Sequence, residues 1–266
     1  MGLVESLAFP NPPRDFSSSA LLSHPNLFYL NLCTKQKTIT QKVPAIHIKR
    51  EDSKFTIICS HGNAEDLGLN IPFLERLSQV TEQNVIGYEY PGYSISEPQS
   101  ITPTEQGCYN AINAAFKHAI TTLNVSSENI VLFGRSLGTG PTVDLAARLG
   151  SPSSDLKIAG CVLISPLSSA IRTQFSTGAS LLSKMDIFKS INKVNQIECQ
   201  TYIIHGNNDR VVPCSNGRTL HALLKNPVTP WWIHGRGHND LPELEVMQRV
   251  KDFLQNIQSE SKESKH

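Results

Sequence analysis

Two rhythms of apolar and polar residues alternate along this chain. Short apolar runs recur at 27–32, 43–48, 55–59, 84–90, 130–133, 159–164, 201–204 and 231–233. Their length and their content of Val, Ile, Phe and Tyr predict strands. Between them lie stretches of helical period. In 67–80, Leu67, Ile71, Leu74 and Leu77 share one face; in 107–123, Ile112, Ala115, Phe116 and Ile120 do so, with Thr104 as the N-cap. Further helices are predicted over 137–149, 219–224 and 244–257. The first two strands are separated only by a polar turn, so they open the sheet as an antiparallel pair. The rest alternate strand with helix, which predicts an α/β fold: a mostly parallel central sheet of about eight strands with helices on both faces. One domain is expected over 24–258, with a Pro- and Ser-rich surface arm at 1–23 and a flexible polar tail at 259–266. In such sheets, functional groups gather at the carboxyl ends of strands.

The chemistry follows that geometry. Gly134-Arg135-Ser136-Leu137-Gly138 lies between an apolar strand and a helix. G-x-S-x-G at that junction forces a sharp turn that lifts the serine hydroxyl above the sheet edge, with Gly134 and Gly138 leaving room for it. A serine hydroxyl needs an imidazole to take its proton and a carboxylate to orient the imidazole. His238, in the glycine-bearing loop His234-Gly235-Arg236-Gly237-His238 after the last strand, is the candidate base. Asp209, in the loop that follows the 201–204 strand, is the candidate acid. Asp240 is a rival acid, but two residues from His238 it is badly placed to orient the ring. The loop Ser60-His61-Gly62-Asn63-Ala64 follows the 55–59 strand. There the backbone N–H of Asn63, with that of Leu137 after the nucleophile, is expected to form an oxyanion hole. His61 is read as a buried prop for this loop, and His205 and His234 as hydrogen-bonding within the loops they begin.

Composition removes other classes. The 266 residues are 39% hydrophobic and 18% charged, with a formal net charge of +1, so nothing points to nucleic acid. No apolar run is long enough to span a bilayer. Glu5 and the prolines at 10, 12 and 13 break any secretory signal. Six cysteines, at 33, 59, 108, 161, 199 and 214, show no paired spacing and read as reduced thiols of a cytoplasmic protein. No metal and no cofactor is expected, since ester hydrolysis on serine needs neither.

With these residues in place, the chain resembles the alpha/beta-hydrolase domain 17 family of protein depalmitoylases from about Leu27 to Ile257. The resemblance rests on Ser60-His61-Gly62-Asn63-Ala64-Glu65-Asp66-Leu67-Gly68, Tyr88-Glu89-Tyr90-Pro91-Gly92-Tyr93, the run from Phe133 to Ala146, Ser165-Pro166-Leu167 and Gly237-His238-Asn239-Asp240. It implies an α/β-hydrolase fold; the segment between Ser165 and Thr201, which carries the lid in many other hydrolases, is compact here, so a small or minimal lid is expected. It also implies a serine hydrolase that removes palmitate from S-acylated proteins, its substrate partners. By motif, Ser136 would be nucleophile, Asp209 acid and His238 base.

Two departures carry consequences. Ser94 stands where a glycine usually follows Gly-Tyr, and the cysteine cluster at the family's N-terminus is absent. Met1-Gly2-Leu3-Val4-Glu5-Ser6 instead fits the pattern for myristoylation of Gly2. One such chain gives only marginal, reversible binding to the cytoplasmic face of a membrane. An unmodified N-terminus stands equally open. The same residues also leave a general carboxylesterase or lipid hydrolase as the alternative function, and a catalytically silent binding module as a minor one, since no triad member is missing. The oligomeric state is unreadable.

Overall fold

The computed structural model describes residues 9, 19–33, 39–63, 65–98, 100–170 and 186–263. Eight strands form one sheet: β1 (Leu27–Cys33), β2 (Ile39–Ile48), β3 (Thr56–Ser60), β4 (Asn84–Tyr88), β5 (Ile130–Arg135), β6 (Gly160–Ile164), β7 (Gln200–Gly206) and β8 (Trp231–Ile233). Their order is β1-β2-β4-β3-β5-β6-β7-β8. β1 pairs antiparallel with β2, and β2 antiparallel with β4; every later pair is parallel. Among the described residues, helices α1 (Leu67–Thr81), α2 (Glu105–Thr121), α3 (Thr139–Leu149), α4 (Ser215–Leu223) and α5 (Glu243–Glu263) cover the sheet.

Period-two alternation on the strands divides the core into two layers. Ile57, Val131, Phe133, Val162 and Ile204 pack with Leu74, Leu77, Val250 and Phe253 of α1 and α5. Ile58, Leu132, Cys161, Leu163 and Ile203 face the other way, toward Ile112, Phe116, Val143 and Leu220 of α2, α3 and α4. Strands buried on both faces explain why their sequences read as continuous apolar runs. The chain reverses its direction of winding between β3 and β5, where Ser60 pairs with Gly134. That switch point opens the crevice in which an α/β sheet holds its site.

Several boundaries move for local reasons. Thr104 caps α2 through a 3.0 Å bond from Gly107 N, so the helix starts at Glu105. The 137–149 helix is split: Ser136–Gly138 forms a tight 3₁₀ turn before α3 begins. α5 runs on to Glu263, through residues expected to form a tail from Ser259; Glu260 accepts a bond from Gln200 at the start of β7. The arm expectation also needs correction. Phe9 is buried with its ring 6.0 Å from that of Phe188, and Leu21 is fully buried. A Pro- and Ser-rich composition concealed these two apolar anchors. Gly2 and most of the segment expected to form the small lid (171–185) lie outside the described residues. No described helix is long and apolar enough to cross a membrane.

Candidate active site

The turn after β5 is built by steric necessity. Ser136 takes φ 52°, a left-handed backbone that costs a non-glycine residue about 1–3 kcal/mol. A Cβ on Gly138 would run into the carbonyl oxygen of Ser60, and one on Gly134 would lie 2.6 Å from Thr142 Oγ1. The elbow is therefore pressed against the end of β3. Thr142 Oγ1 donates to Gly138 O at 2.8 Å and Thr139 Oγ1 to Ser136 O at 2.6 Å, tying the turn to the first turn of α3.

Three loops converge on this elbow. His238 Nε2 lies 2.9 Å from Ser136 Oγ, and His238 Nδ1 lies 2.7 Å from Asp209 Oδ2. An ionised carboxylate can only accept, so Nδ1 carries the proton and Nε2 is left bare to accept from the serine hydroxyl. Asp209 is held firmly. Its Oδ1 accepts from Val211 N at 2.9 Å and Val212 N at 2.8 Å. Burial works against its charge, but bonds from His205, His238 and Val212 N outweigh that and hold the carboxyl well below the usual carboxylate range. Asp240, the rival, accepts from Gly237 N at 2.6 Å and shapes the histidine loop rather than its ring.

Two supporting groups escaped sequence reasoning. His205 was read as bonding within its own loop, which it does through Val212 O at 2.9 Å; the same Nε2 also lies 3.2 Å from Asp209 Oδ2. Glu89 is fully buried and meets His61 Nε2 at 2.9 Å, while His61 Nδ1 lies 2.9 Å from Gly62 O. Both ring nitrogens face acceptors, so the imidazole must be doubly protonated to satisfy them. Burial opposes that charge, yet Glu89 and the Gly62 carbonyl raise the His61 pKa above its usual value. The Glu89 carboxylate also accepts from Leu67 N at 2.8 Å and Tyr90 N at 2.9 Å. A buried ion pair thus fixes the loop that carries Asn63, whose Oδ1 accepts from Tyr93 OH at 3.3 Å. The signal for Glu89 was its place in a Tyr-Glu-Tyr run at a strand end, where an acid is costly unless paired.

Ser94, where the resemblance led to the expectation of a glycine, sits at φ 46°, and its buried Oγ has no hydrogen-bond partner among the described residues. Arg135, immediately before Ser136, pairs with Glu65 and donates to Asn239 Oδ1 at 3.3 Å.

This fold, with a serine on a strained strand-to-helix turn, defines an α/β hydrolase. Solved structures agree on the fold: Est1E of Butyrivibrio proteoclasticus superposes with a TM-score of 0.67 at 16% identity, over 87% of this chain and 99% of that one. An esterase of Pyrococcus furiosus gives 0.64 at 19% identity, over 93% and 99%. No protein-family model matches. Relatives narrow the class. Human alpha/beta hydrolase domain-containing protein 17B is 37% identical over 205 residues, 76% of this chain and 67% of the relative. Protein aho-3 of Caenorhabditis elegans is 40% identical over 205 residues, 76% and 58%, and mouse protein 17C is 37% identical over 204 residues, 76% and 60%. The chain belongs to the alpha/beta hydrolase domain-containing protein 17 family. The matched stretch spans about three fifths of the mouse and worm proteins.

Proposed function

We propose that this chain is a serine hydrolase that cleaves acyl thioesters of protein cysteines through an acyl-Ser136 intermediate. The observation that carries the reading is the continuous line from Ser136 Oγ through His238 to Asp209, at 2.9 and 2.7 Å. Family resemblance supplies the choice of thioester.

His238 Nε2 takes the Ser136 proton as Oγ bonds to the carbonyl carbon. The carbonyl oxygen becomes an oxyanion, which we assign to the backbone N–H groups of Asn63 and Leu137. When the C–S bond breaks, His238 returns its proton to the departing sulfur. Water then enters and gives a proton to Nε2 as its oxygen bonds to the acyl carbon; Nε2 passes that proton to Ser136 Oγ as the C–Oγ bond breaks, which releases the fatty acid and free Ser136. Asp209 stays ionised throughout, holding the ring tautomer and balancing the transient imidazolium.

The test is release of palmitate from an S-palmitoyl peptide, run beside a matched oxyester. Thioester cleavage that disappears in Ser136→Ala supports the reading. Cleavage of oxyesters with acyl-cysteine untouched would make the protein a carboxylesterase. Failure of Ser136 to label with a fluorophosphonate would make it a binding module.

A further inference from the structure

A cleft lies beside the triad on the α1–α5 face of the sheet. Its larger part, about 370 Å³, lies between α1 and the ends of β3 and β5. A smaller part, about 90 Å³, shares Phe73, Phe133, Arg135 and Glu243 with the first and reaches His238. Phe73 and Phe133 supply apolar walls to both parts, and Ile164, Leu241 and Val246 to the smaller one. Charged groups line it too: Arg135 paired with Glu65, and Arg76 paired at 2.7 Å with Glu243 across the gap between α1 and α5.

We propose that this cleft is the leaving-group site and seats the polypeptide that flanks the acylated cysteine. The proposal rests on the thioesterase reading above. Two observations select this occupant over the acyl chain. First, His238 lines the cleft and Ser136 does not. The acyl carbon bonds to Ser136, whereas the sulfur must take its proton from His238, so the sulfur's substituents lie on the His238 side. Second, the wall carries the charged groups of Glu65, Arg76, Arg135, Glu243 and His61 and the amides of Asn70 and Asn239. A hydrocarbon chain would strip water from them and return no hydrogen bonds, which is costly. A peptide backbone offers both donors and acceptors, and its side chains can answer the charges.

Leu69, half exposed on the first turn of α1, lines the larger part of the cleft, so Leu69→Trp narrows it without disturbing the core. Two substrates with the same palmitoyl chain are compared, an S-palmitoyl peptide and S-palmitoyl-N-acetylcysteamine. The ratio of their kcat/KM values is expected to fall about tenfold in Leu69→Trp. Leu223→Trp, on the opposite layer at α4, is the control and is expected to keep the wild-type ratio. Arg76→Glu is expected to shift preference from peptides with an acidic neighbour of the cysteine toward those with a basic one. A Leu69→Trp protein whose ratio is unchanged, or whose acyl-length preference shortens equally on both substrates, would overturn the proposal. A wild-type protein that labels at Ser136 but cleaves neither thioester would overturn the thioesterase reading, and the proposal with it.

Discussion

His205 Nε2 lies 3.2 Å from Asp209 Oδ2, the same oxygen that His238 Nδ1 meets at 2.7 Å, and neither the His205 nor the Asp209 side chain reaches solvent. The carboxylate is thus clasped between two imidazoles. His205 touches neither Ser136 nor the reacting atoms, so it acts as a positioning residue. His205→Gln is expected to lower kcat with little change in KM, by less than the roughly 10⁴-fold loss that follows when such a carboxylate is itself made an amide. The pH–rate profile should change as well. An unaltered profile with a proportionate loss of folded protein would reduce His205 to a packing residue.

In the proposed mechanism, Ser136 as nucleophile and His238 as base act as one unit. Ser136→Ala and His238→Ala should each abolish palmitate release to within the residual rate of the oxyanion hole, and the double variant should be no worse. Steady-state rates of palmitate release by the single and double variants check this. Additive losses would mean that the two side chains work in separate steps.

Ser94 holds an unfavourable position twice over: φ 46° and a buried hydroxyl with no partner among the described residues. Relief of backbone strain and of the unpaired hydroxyl each favours glycine by about 1 kcal/mol or more. Greater freedom of the unfolded chain takes back about 0.5–1 kcal/mol. Ser94→Gly should therefore raise stability by about 1 kcal/mol, read as a melting temperature higher by about 2–4 °C. A lower melting temperature would refute this accounting.

The buried His61–Glu89 pair links stability to pH. His61 has a folded pKa above its usual 6.5, so its contribution is complete below that value and is lost as pH rises through the raised one. Asp209 has the opposite sign: its folded pKa is depressed, so its contribution is present above 3.8 and is lost as pH falls. Denaturant unfolding across pH should show a decline on both sides. His61→Gln strands the Glu89 charge and should cost about 3–5 kcal/mol at neutral pH, with the alkaline decline flattened. An alkaline limb identical to wild type would assign that decline to another group.

Much of this architecture was legible before any coordinates. Strand runs at 130–133 and 159–164 needed only near-neighbour patterning, because a strand buried on both faces must be apolar throughout. The elbow was legible for the same reason: Gly134 and Gly138 bracket Ser136, and the steric demand of the turn is satisfied within five residues. The candidate residues Asp209 and His238 could be named from their place after strands.

Other features were set by contacts that no local pattern encodes. Ser136 and His238 are 102 positions apart, and their 2.9 Å approach depends on the order of β5 to β8. Glu89 and His61, 28 positions apart, become an ion pair only because β3 and β4 lie side by side. His205 looked like a loop residue until β7 turned its ring onto Asp209, and Phe9 like part of a surface arm until Phe188 came to cover it. Sequence alone determined what depends on local sterics and periodicity: the elements, the elbow and the residue types at strand ends. Tertiary structure decided the pairings and the cleft, since burial and charge matching exist only once distant segments exclude water from one another.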